Sequence, residues 1–183
     1  MQALIDIVKQ GKALYVGISK YPPAQAKIAY EMLRAAGVPC LISQYRYSMF
    51  DRTVEEKSLP LAAEQGSGFI AFSPLAQGLL TKKYLHGIPE HSRAARSTGF
   101  LKVDQVTEDK VGKARRLDEI AARRGQTLAE MALAWVLKDE RMTSVIVGTS
   151  SVKQLADNLH ALDNLNFTNE ESVSYTHLTL PTT

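Results

Sequence analysis

Cysteine is almost absent from this 183-residue sequence, which contains one, Cys40, in the apolar stretch VPCLIS. A lone cysteine cannot pair within the chain, and among apolar neighbours it is interpreted as a small buried residue. The sequence therefore implies neither a disulfide framework nor a zinc site, and no metal ligand is assigned.

Strong net charge and long apolar runs are also missing. The net charge is +3, and the densest basic clusters, 113–116 and 123–124, fall on a helical pattern. A solvated helix face accounts for such clusters, so we expect no nucleic-acid binding. No apolar run approaches the roughly 20 residues that a membrane span needs, and no signal-peptide pattern opens the sequence. We expect a cytoplasmic protein without a membrane partner.

Strand and helix patterns alternate along the chain. Short apolar runs bounded by turn residues predict buried parallel strands at 13–19, 40–44, 68–72 and 144–148. Amphipathic stretches predict helices at 4–8, 24–36, 52–65, 108–124, 127–138 and 151–162. In the second of these helices Ile28, Met32 and Leu33 form the predicted apolar stripe. Repeated βα units predict a parallel α/β fold.

Two segments do not fit this alternation. Residues 86–106 are polar, and connections of that length are usually functional or mobile. Near the end, Thr168 and Glu171 form a capping box that predicts the start of a helix. The stretch that follows, SVSYTHLTLPTT, is rich in β-branched residues and contains a proline. We therefore expect the native sequence to stop near Glu171, with 172–183 as a non-native or disordered tail.

Several residues at predicted strand ends have the chemistry of a ligand site. The segment 73–81 combines proline with glycine and favours an anion-binding backbone concavity. Gly148 to Ser151 precede a helix, whose N-terminus favours phosphate, although a serine there is also an ordinary N-cap. Gln44 binds either a ligand amide or neighbouring backbone. Phe72 is either a face for a ligand ring or plain core.

Five stretches occur in an order that resembles the second half of an aldo-keto reductase: GKALYVGIS (11–19), the strand ending in Gln44, FSPLAQGLLTKKY (72–84), GIPEHSR (87–93) and VIVGTSSVKQLADNL (145–159). The likeness is to a bacterial subgroup related to the voltage-gated potassium channel β subunits. It implies that 1–171 are the last four βα units of a (β/α)8 TIM barrel. It also implies an NADP-dependent oxidoreductase that reduces aldehydes or ketones, such as glyceraldehyde 3-phosphate or methylglyoxal, to alcohols.

The resemblance also implies cofactor-binding residues. It assigns the nicotinamide carboxamide to Ser19 and Gln44, and the nicotinamide ring to Phe72. For the diphosphate, the 2′-phosphate and the adenosine end, the resemblance implies contacts with Ser73, Leu75, Gly78, Lys83, Arg93, Gly148, Ser150, Gln154, Asp157 and Asn158. Because several of these suit a 2′-phosphate, NADP is favoured over NAD. Lys20 departs from the asparagine that the family commonly has after the serine, and Lys82 is interpreted as a solvated neighbour of Lys83.

The chemistry of reduction is not complete in this sequence. Carbonyl reduction needs an acid, and the family's tyrosine, lysine, aspartate and histidine lie in the first half of the barrel, whose motifs are absent here. We therefore assign no catalytic residue, give no role to His86, His91 and His160, and expect the chain alone to be inactive. A carbonyl compound is the expected small-molecule partner. A homo-oligomer, a regulatory NADP-binding module similar to the channel β subunits, and an inactive truncated product stay open.

Overall fold

Four parallel strands form a single sheet in chain order in the computed structural model, which describes residues 1–96, 98 and 100–179 except the side chain of His177. The strands are β1 (Val16–Ser19), β2 (Cys40–Arg46), β3 (Gly68–Phe72) and β4 (Met142–Ile146). Every neighbouring pair is parallel. Parallel neighbours need crossover connections, which the intervening helices provide. The predicted parallel α/β fold is confirmed for the described residues.

Seven α-helices lie within the described residues: α1 (Gln2–Lys9), α2 (Pro23–Ala35), α3 (Ser58–Glu64), α4 (Glu108–Arg123), α5 (Leu128–Leu137), α6 (Val152–Leu159) and α7 (Asn169–Thr179). The predicted capping box that starts α5 is confirmed, since Thr127 and Glu130 exchange hydrogen bonds of 2.8 and 3.2 Å. Across the described ranges, none of these helices is both long enough and apolar enough to cross a membrane.

The helices bury one face of the sheet. On β3, Phe69 and Ala71 are fully buried, whereas Ile70 and Phe72 between them are only partly covered. Successive side chains of a strand point to opposite faces, so this alternation separates a helix-covered face from an open face. The largest core cluster lies on the helix-covered side, where Trp135 of α5 is 1% exposed.

The first and last strands are displaced from their predicted positions. The first begins at Val16, and Leu14 and Tyr15 are 82% and 67% exposed, because pairing with β2 starts only at Val16 opposite Cys40. The last strand ends at Ile146, which lies opposite the last residue of β3. Gly148, predicted in the strand, lies beyond it.

Two helix predictions need correction. In α2 the buried residues are Ala26, Ala29, Tyr30 and Leu33, whereas the predicted stripe residues Ile28 and Met32 are 57% and 45% exposed. The Tyr30 hydroxyl shares a hydrogen bond with Ser43 of β2, which fixes that face of the helix against the sheet.

The segment predicted as a helix from 52 to 65 is helical only from Ser58, and α6 is shorter than predicted. The Thr53 hydroxyl donates to Asp51 at 2.8 Å, and such local side-chain bonds compete with helix formation. The α6 helix ends at Leu159 and continues as a 3₁₀ helix over His160–Asp163.

The predicted start of a helix at Thr168 is confirmed, and the helix continues through the segment expected to be a tail. Thr168 and Glu171 exchange two hydrogen bonds of 2.7 and 3.2 Å. Tyr175 is 5% exposed and its ring meets Trp135 edge-on, with 6.0 Å between ring centroids. Disorder is therefore wrong for 172–179, because burial against the core outweighs poor helix propensity. A non-native origin stays a prediction, and 180–183 lie outside the described residues.

Parallel pairing brings the ends of the four strands to one edge, which we call the carboxyl edge and define by Ser19, Arg46, Phe72 and Ile146. Arg46 pairs with Phe72, and Phe72 pairs with Ile146. Ser19 pairs with Gln44, two residues before the end of β2. Side chains that are distant in sequence therefore meet along this edge.

Candidate cofactor-binding site

A cavity of about 670 Å³ opens at the carboxyl edge beside β3 and β4. This volume lies in the range of about 300–1,000 Å³ that is usual for small-molecule sites. Three stretches form its walls: the segment after β3, part of the long polar connection, and the turn between β4 and α6. Nine predicted residues meet here: Phe72, Ser73, Leu75, Gly78, Lys83, Arg93, Gly148, Ser150 and Gln154.

The backbone after β3 is strained. Ser73, Ala76 and Gln77 have φ angles of 54°, 47° and 61°, in the left-handed region that residues with a Cβ rarely adopt. Each such conformation costs on the order of 1–3 kcal/mol and concentrates at ligand sites. Among the described residues, no acceptor takes the amide N–H of Ser73 or Leu75. The turn therefore presents free backbone donors beside the cavity, as an anion-binding loop does.

Arg93 joins two walls of the cavity. Its Nη1 donates to Gln77 Oε1 at 3.3 Å, and Gln77 Nε2 donates to Ser73 Oγ at 3.1 Å. On the opposite wall, a Cβ added to Gly148 would lie 3.7 Å from Arg93 Nη2. The guanidinium thus lies between the strained turn and the start of α6, rather than in bare solvent.

The two serines at the start of α6 have different roles. Ser151 is the N-cap, since its hydroxyl accepts from the Gln154 amide N–H at 3.2 Å. Ser150 is left to the cavity wall, where its N–H and hydroxyl donate to Gln154 Oε1 at 2.8 and 3.1 Å. The capping role that was open between the two serines therefore belongs to Ser151.

The cavity is lined by cations and by no carboxylate among the described residues. Lys83, Arg93 and Arg96 all border it, together with His91. Lys82 lies outside it and pairs with Asp118 of α4 at 3.7 Å. Cations clustered in a cleft attract phosphate groups and bind them through charge-assisted hydrogen bonds.

An aromatic ring also borders the cavity. Phe72 is half-buried on the open face, so it is not plain core. Gln44 is on the neighbouring strand β2, and its register partner Ser19 is on β1, one strand further from Phe72. Both lie outside the cavity. Among the described residues nothing hydrogen-bonds to the Gln44 side-chain amide. The alternative of an amide tied to neighbouring backbone is therefore not observed.

Two predicted residues of α6 lie outside the cavity. Asp157 forms an exposed ion pair with Lys153, at 3.0 Å. Asn158 is 8% exposed, and its Nδ2 has no partner among the described residues. A buried amide without a partner is rare in folded proteins and is often explained by an absent ligand or water.

The tyrosines near the end of β2 do not face the cavity. The Tyr45 hydroxyl donates to the Tyr21 carbonyl oxygen at 2.7 Å, and burial raises the pKa of Tyr45 to about 12. The Tyr47 hydroxyl donates to Glu55 Oε1 at 2.8 Å, and burial, followed by the Glu55 carboxylate, raises its pKa further. Neither is placed to protonate a substrate in the cavity.

Sequence reasoning missed several lining residues. Gln77, which connects Ser73 with Arg93, lies inside the quoted stretch FSPLAQGLLTKKY, and its positive φ has no signal in the sequence. His91 and Arg96 flank Arg93 in the long connection, and their proximity to it was the available signal. Among the described residues no cluster of potential metal ligands is present.

Comparisons with known proteins show the family of this chain. The sequence profile of the aldo/keto reductase family matches residues 1–177. The chain is 47% identical over 173 residues to L-glyceraldehyde 3-phosphate reductase of Escherichia coli O157:H7, and 46% identical to the protein of that name from strain K12. These alignments cover 92% of this chain but 50% of each relative. The chain thus spans about half the length of the curated relatives that it matches.

Proposed function

Because the chain belongs to the aldo/keto reductase family, we propose that it binds NADP(H) in the cavity at the carboxyl edge. In this proposal it is the cofactor-holding part of a reductase that converts small aldehydes or ketones to alcohols, with glyceraldehyde 3-phosphate and methylglyoxal as candidate substrates. The proposal extends to the fold, since four parallel strands are half of an eight-stranded barrel.

The observation that carries this proposal is the polarity of the cavity. Phe72 gives the cavity a flat apolar surface, which suits a nicotinamide ring. Lys83, Arg93 and Arg96 give it three cations, which suit a diphosphate and a 2′-phosphate. A dinucleotide with an added phosphate carries both kinds of group. NADP therefore matches the cavity better than NAD.

The uncommitted polar groups near the cavity also fit this cofactor. The free amide N–H groups of Ser73 and Leu75 suit diphosphate oxygens. The unbonded side-chain amide of Gln44 suits the nicotinamide carboxamide, and the buried Asn158 Nδ2 suits an adenine nitrogen. When bound, NADPH supplies a hydride to a carbonyl carbon, and the residues of this chain bind and orient it.

The selectivity for the 2′-phosphate is testable by isothermal titration calorimetry. We expect the chain to bind NADP⁺ more tightly than NAD⁺. Arg93→Gln is expected to weaken NADP⁺ binding about tenfold or more, since a hydrogen bond to a charged group contributes about 1.5–3 kcal/mol. Its effect on NAD⁺ binding is expected to be small. Arg116→Gln, on the exposed surface of α4, is the matched control.

Two outcomes would contradict the proposal: no binding of either dinucleotide, or equal losses for both in the Arg93 variant. A separate assay addresses catalysis. We expect the purified chain to oxidise no NADPH in the presence of methylglyoxal, because Tyr45 and Tyr47 face away from the cavity and no other proton donor is assigned. Turnover above the buffer rate would show that this chain supplies its own acid.

A further inference from the structure

Two further cations lie at the carboxyl edge, on the β1–β2 side of Phe72. Arg46 is the last residue of β2 and is the register partner of Phe72. Lys20 directly follows β1, and its amide N–H donates to the Gln44 carbonyl oxygen at 2.9 Å. Neither residue lines the cofactor cavity.

Arg46 lies on the open face of the sheet. The flanking β2 residues Ser43 and Tyr45 are buried on the helix-covered face, whereas Gln44 is half-buried and the Arg46 side chain is 62% exposed. Strand alternation therefore places Arg46, Gln44 and Phe72 on the same face. Arg46 is therefore the residue directly opposite Phe72, whose ring the proposed function gives to the nicotinamide.

Neighbouring groups hold the Arg46 guanidinium in place without using all of its donors. Ser48 and Asp51 exchange two backbone hydrogen bonds, of 3.1 and 3.0 Å, which turn the chain back toward the end of β2. Asp51 Oδ2 then accepts from Arg46 Nε at 2.6 Å, and Thr53 occupies Oδ1. In the described part of the chain, no acceptor contacts the two terminal nitrogens of Arg46 or the Lys20 ammonium.

The net charge around the end of β2 is positive. The Asp51 carboxylate offsets the positive charge of Arg46, and Lys20, which follows the adjacent strand β1, adds another positive charge. An arginine whose Nε is held by a carboxylate presents its two terminal nitrogens as a fork, which matches the paired oxygens of a phosphate or carboxylate. Lys20, which directly follows β1, adds a point charge at the same edge of the sheet.

We propose that Arg46, with Lys20 as a second cation, is the group of this chain that binds the phosphate or carboxylate of an anionic carbonyl substrate. This inference rests on the proposed function, because the position of the nicotinamide beside Phe72 defines where the substrate lies. The carbonyl then faces the ring, and the anionic group extends toward the ends of β1 and β2. Asp51 is a positioning residue that acts through Arg46.

The test is an NMR titration of the ¹⁵N-labelled chain saturated with NADP⁺, using glyceraldehyde 3-phosphate, neutral glyceraldehyde and glyoxylate as probes. We expect the two anions to shift the amide signals of Lys20, Gln44 and Arg46 and to bind about tenfold tighter than the neutral aldehyde, as charge-assisted hydrogen bonds allow. The phosphate and carboxylate arms show which anion is preferred.

Variants separate this site from the cofactor site. Arg46→Gln is expected to weaken anion binding about tenfold with unchanged affinity for NADP⁺ and for glyceraldehyde, and Lys20→Gln about threefold. Arg46→Lys retains the charge and is expected to retain most of the binding, and Arg116→Gln is the inert control.

The inference is overturned if charged and neutral aldehydes bind equally, if Arg46→Gln leaves anion affinity unchanged, or if the amides near Arg46 do not shift. Failure of NADP⁺ to bind would instead contradict the proposed function. In that case the same titration without cofactor still decides whether anions bind at Arg46, because the shifted amides identify the place.

Discussion

The helix-covered face of the sheet and its carboxyl edge are built on opposite principles. On the helix-covered face, Phe69, Leu117 and Trp135 are at most 1% exposed and belong to one core cluster. Along the carboxyl edge, Arg93 and Arg46 are exposed, and three non-glycine residues of one turn have positive φ angles. The first region stabilises the fold. In the second, strained backbone lowers the stability of the fold but holds hydrogen-bond donors and cations where a ligand can contact them.

This difference predicts that substitutions in the two regions will affect different properties of the chain. Changes on the helix-covered face are expected to alter the free energy of unfolding strongly and cofactor affinity little. Changes at the carboxyl edge are expected to do the reverse, since exposed polar groups contribute little to folding. Three variants test this division, beginning with the largest expected effect.

Trp135→Ala is the most severe test of the core. The ring of Trp135 packs against Tyr47 and Tyr175, with centroid distances of 5.3 and 6.0 Å, and Arg52 and Lys138 lie over it. We expect a loss of about 3–5 kcal/mol in the free energy of unfolding, measured with urea, because such truncations leave a large cavity. Trp135→Phe is the control, with a smaller loss expected. A loss below about 1 kcal/mol would contradict this account of the core.

Glu171→Gln tests the buried ion pair that ties α7 to α4. The Arg124 side chain is 2% exposed, its Nη1 lies 2.7 Å from Glu171 Oε2, and its guanidinium lies 3.8 Å from the Phe167 ring centre. Removing the carboxylate leaves a buried cation, which typically costs about 3–5 kcal/mol. We expect about 2 kcal/mol here, because Arg124 keeps the Asn164 carbonyl and Phe167 as partners.

The same pair gives a dependence on pH. Burial alone would raise the pKa of Glu171, but the Thr168 N–H and the Arg124 guanidinium outweigh it and lower the pKa below the ordinary 4.5. The unfolded state therefore binds the proton more readily, so this stabilisation is present above pH 4.5 and is lost as the pH falls through the folded-state value. The difference between wild type and Glu171→Gln should shrink between pH 6 and pH 3. Glu170→Gln, exposed on the same turn, should show no such trend.

Gly78→Ala addresses the carboxyl edge and has the smallest expected effect on stability. Gly78 has a φ of 103°, and an added Cβ would lie 3.2 Å from the Tyr84 ring. We expect a loss of about 1 kcal/mol from backbone strain and a clear loss of NADP⁺ affinity as the turn shifts.

The control for this variant lies within a helix. Gly112 is in α4 with nothing within 4 Å of an added Cβ. Gly112→Ala should therefore stabilise the chain by about 0.5–1 kcal/mol without changing cofactor affinity. An unchanged affinity in Gly78→Ala would show that the geometry of the turn does not matter for binding.

Local chemistry explains which elements could be predicted from the sequence. The capping boxes at Thr127 and Thr168 were predicted because both partners lie three residues apart in the chain. The buried face of α2 was not, because Ile28 is more apolar than Tyr30 and only contact with Ser43 selects the tyrosine. The continuation of α7 was missed for the same reason, since its helical state depends on burial of Tyr175 against Trp135.

The candidate site divides in the same way. Its residue types followed from the motifs, because a strand end, a glycine turn and a helix start each have a local signature. Gln77 was not identified, because its role depends on a positive φ and on Arg93, which lies 16 residues further along the chain. Arg46 was not identified either, because its proximity to Phe72 is a property of strand register.

The sequence by itself determined the parallel α/β class, the aldo/keto reductase family and most of the side chains around the cavity, since these depend on short-range patterns and on motif order. Only the tertiary structure decided which sheet face is covered, that Arg93 joins two walls, and that Arg46 and Lys20 lie on the β1–β2 side of Phe72. Those relations join residues far apart in the chain, and pairing and burial fix them rather than any local preference.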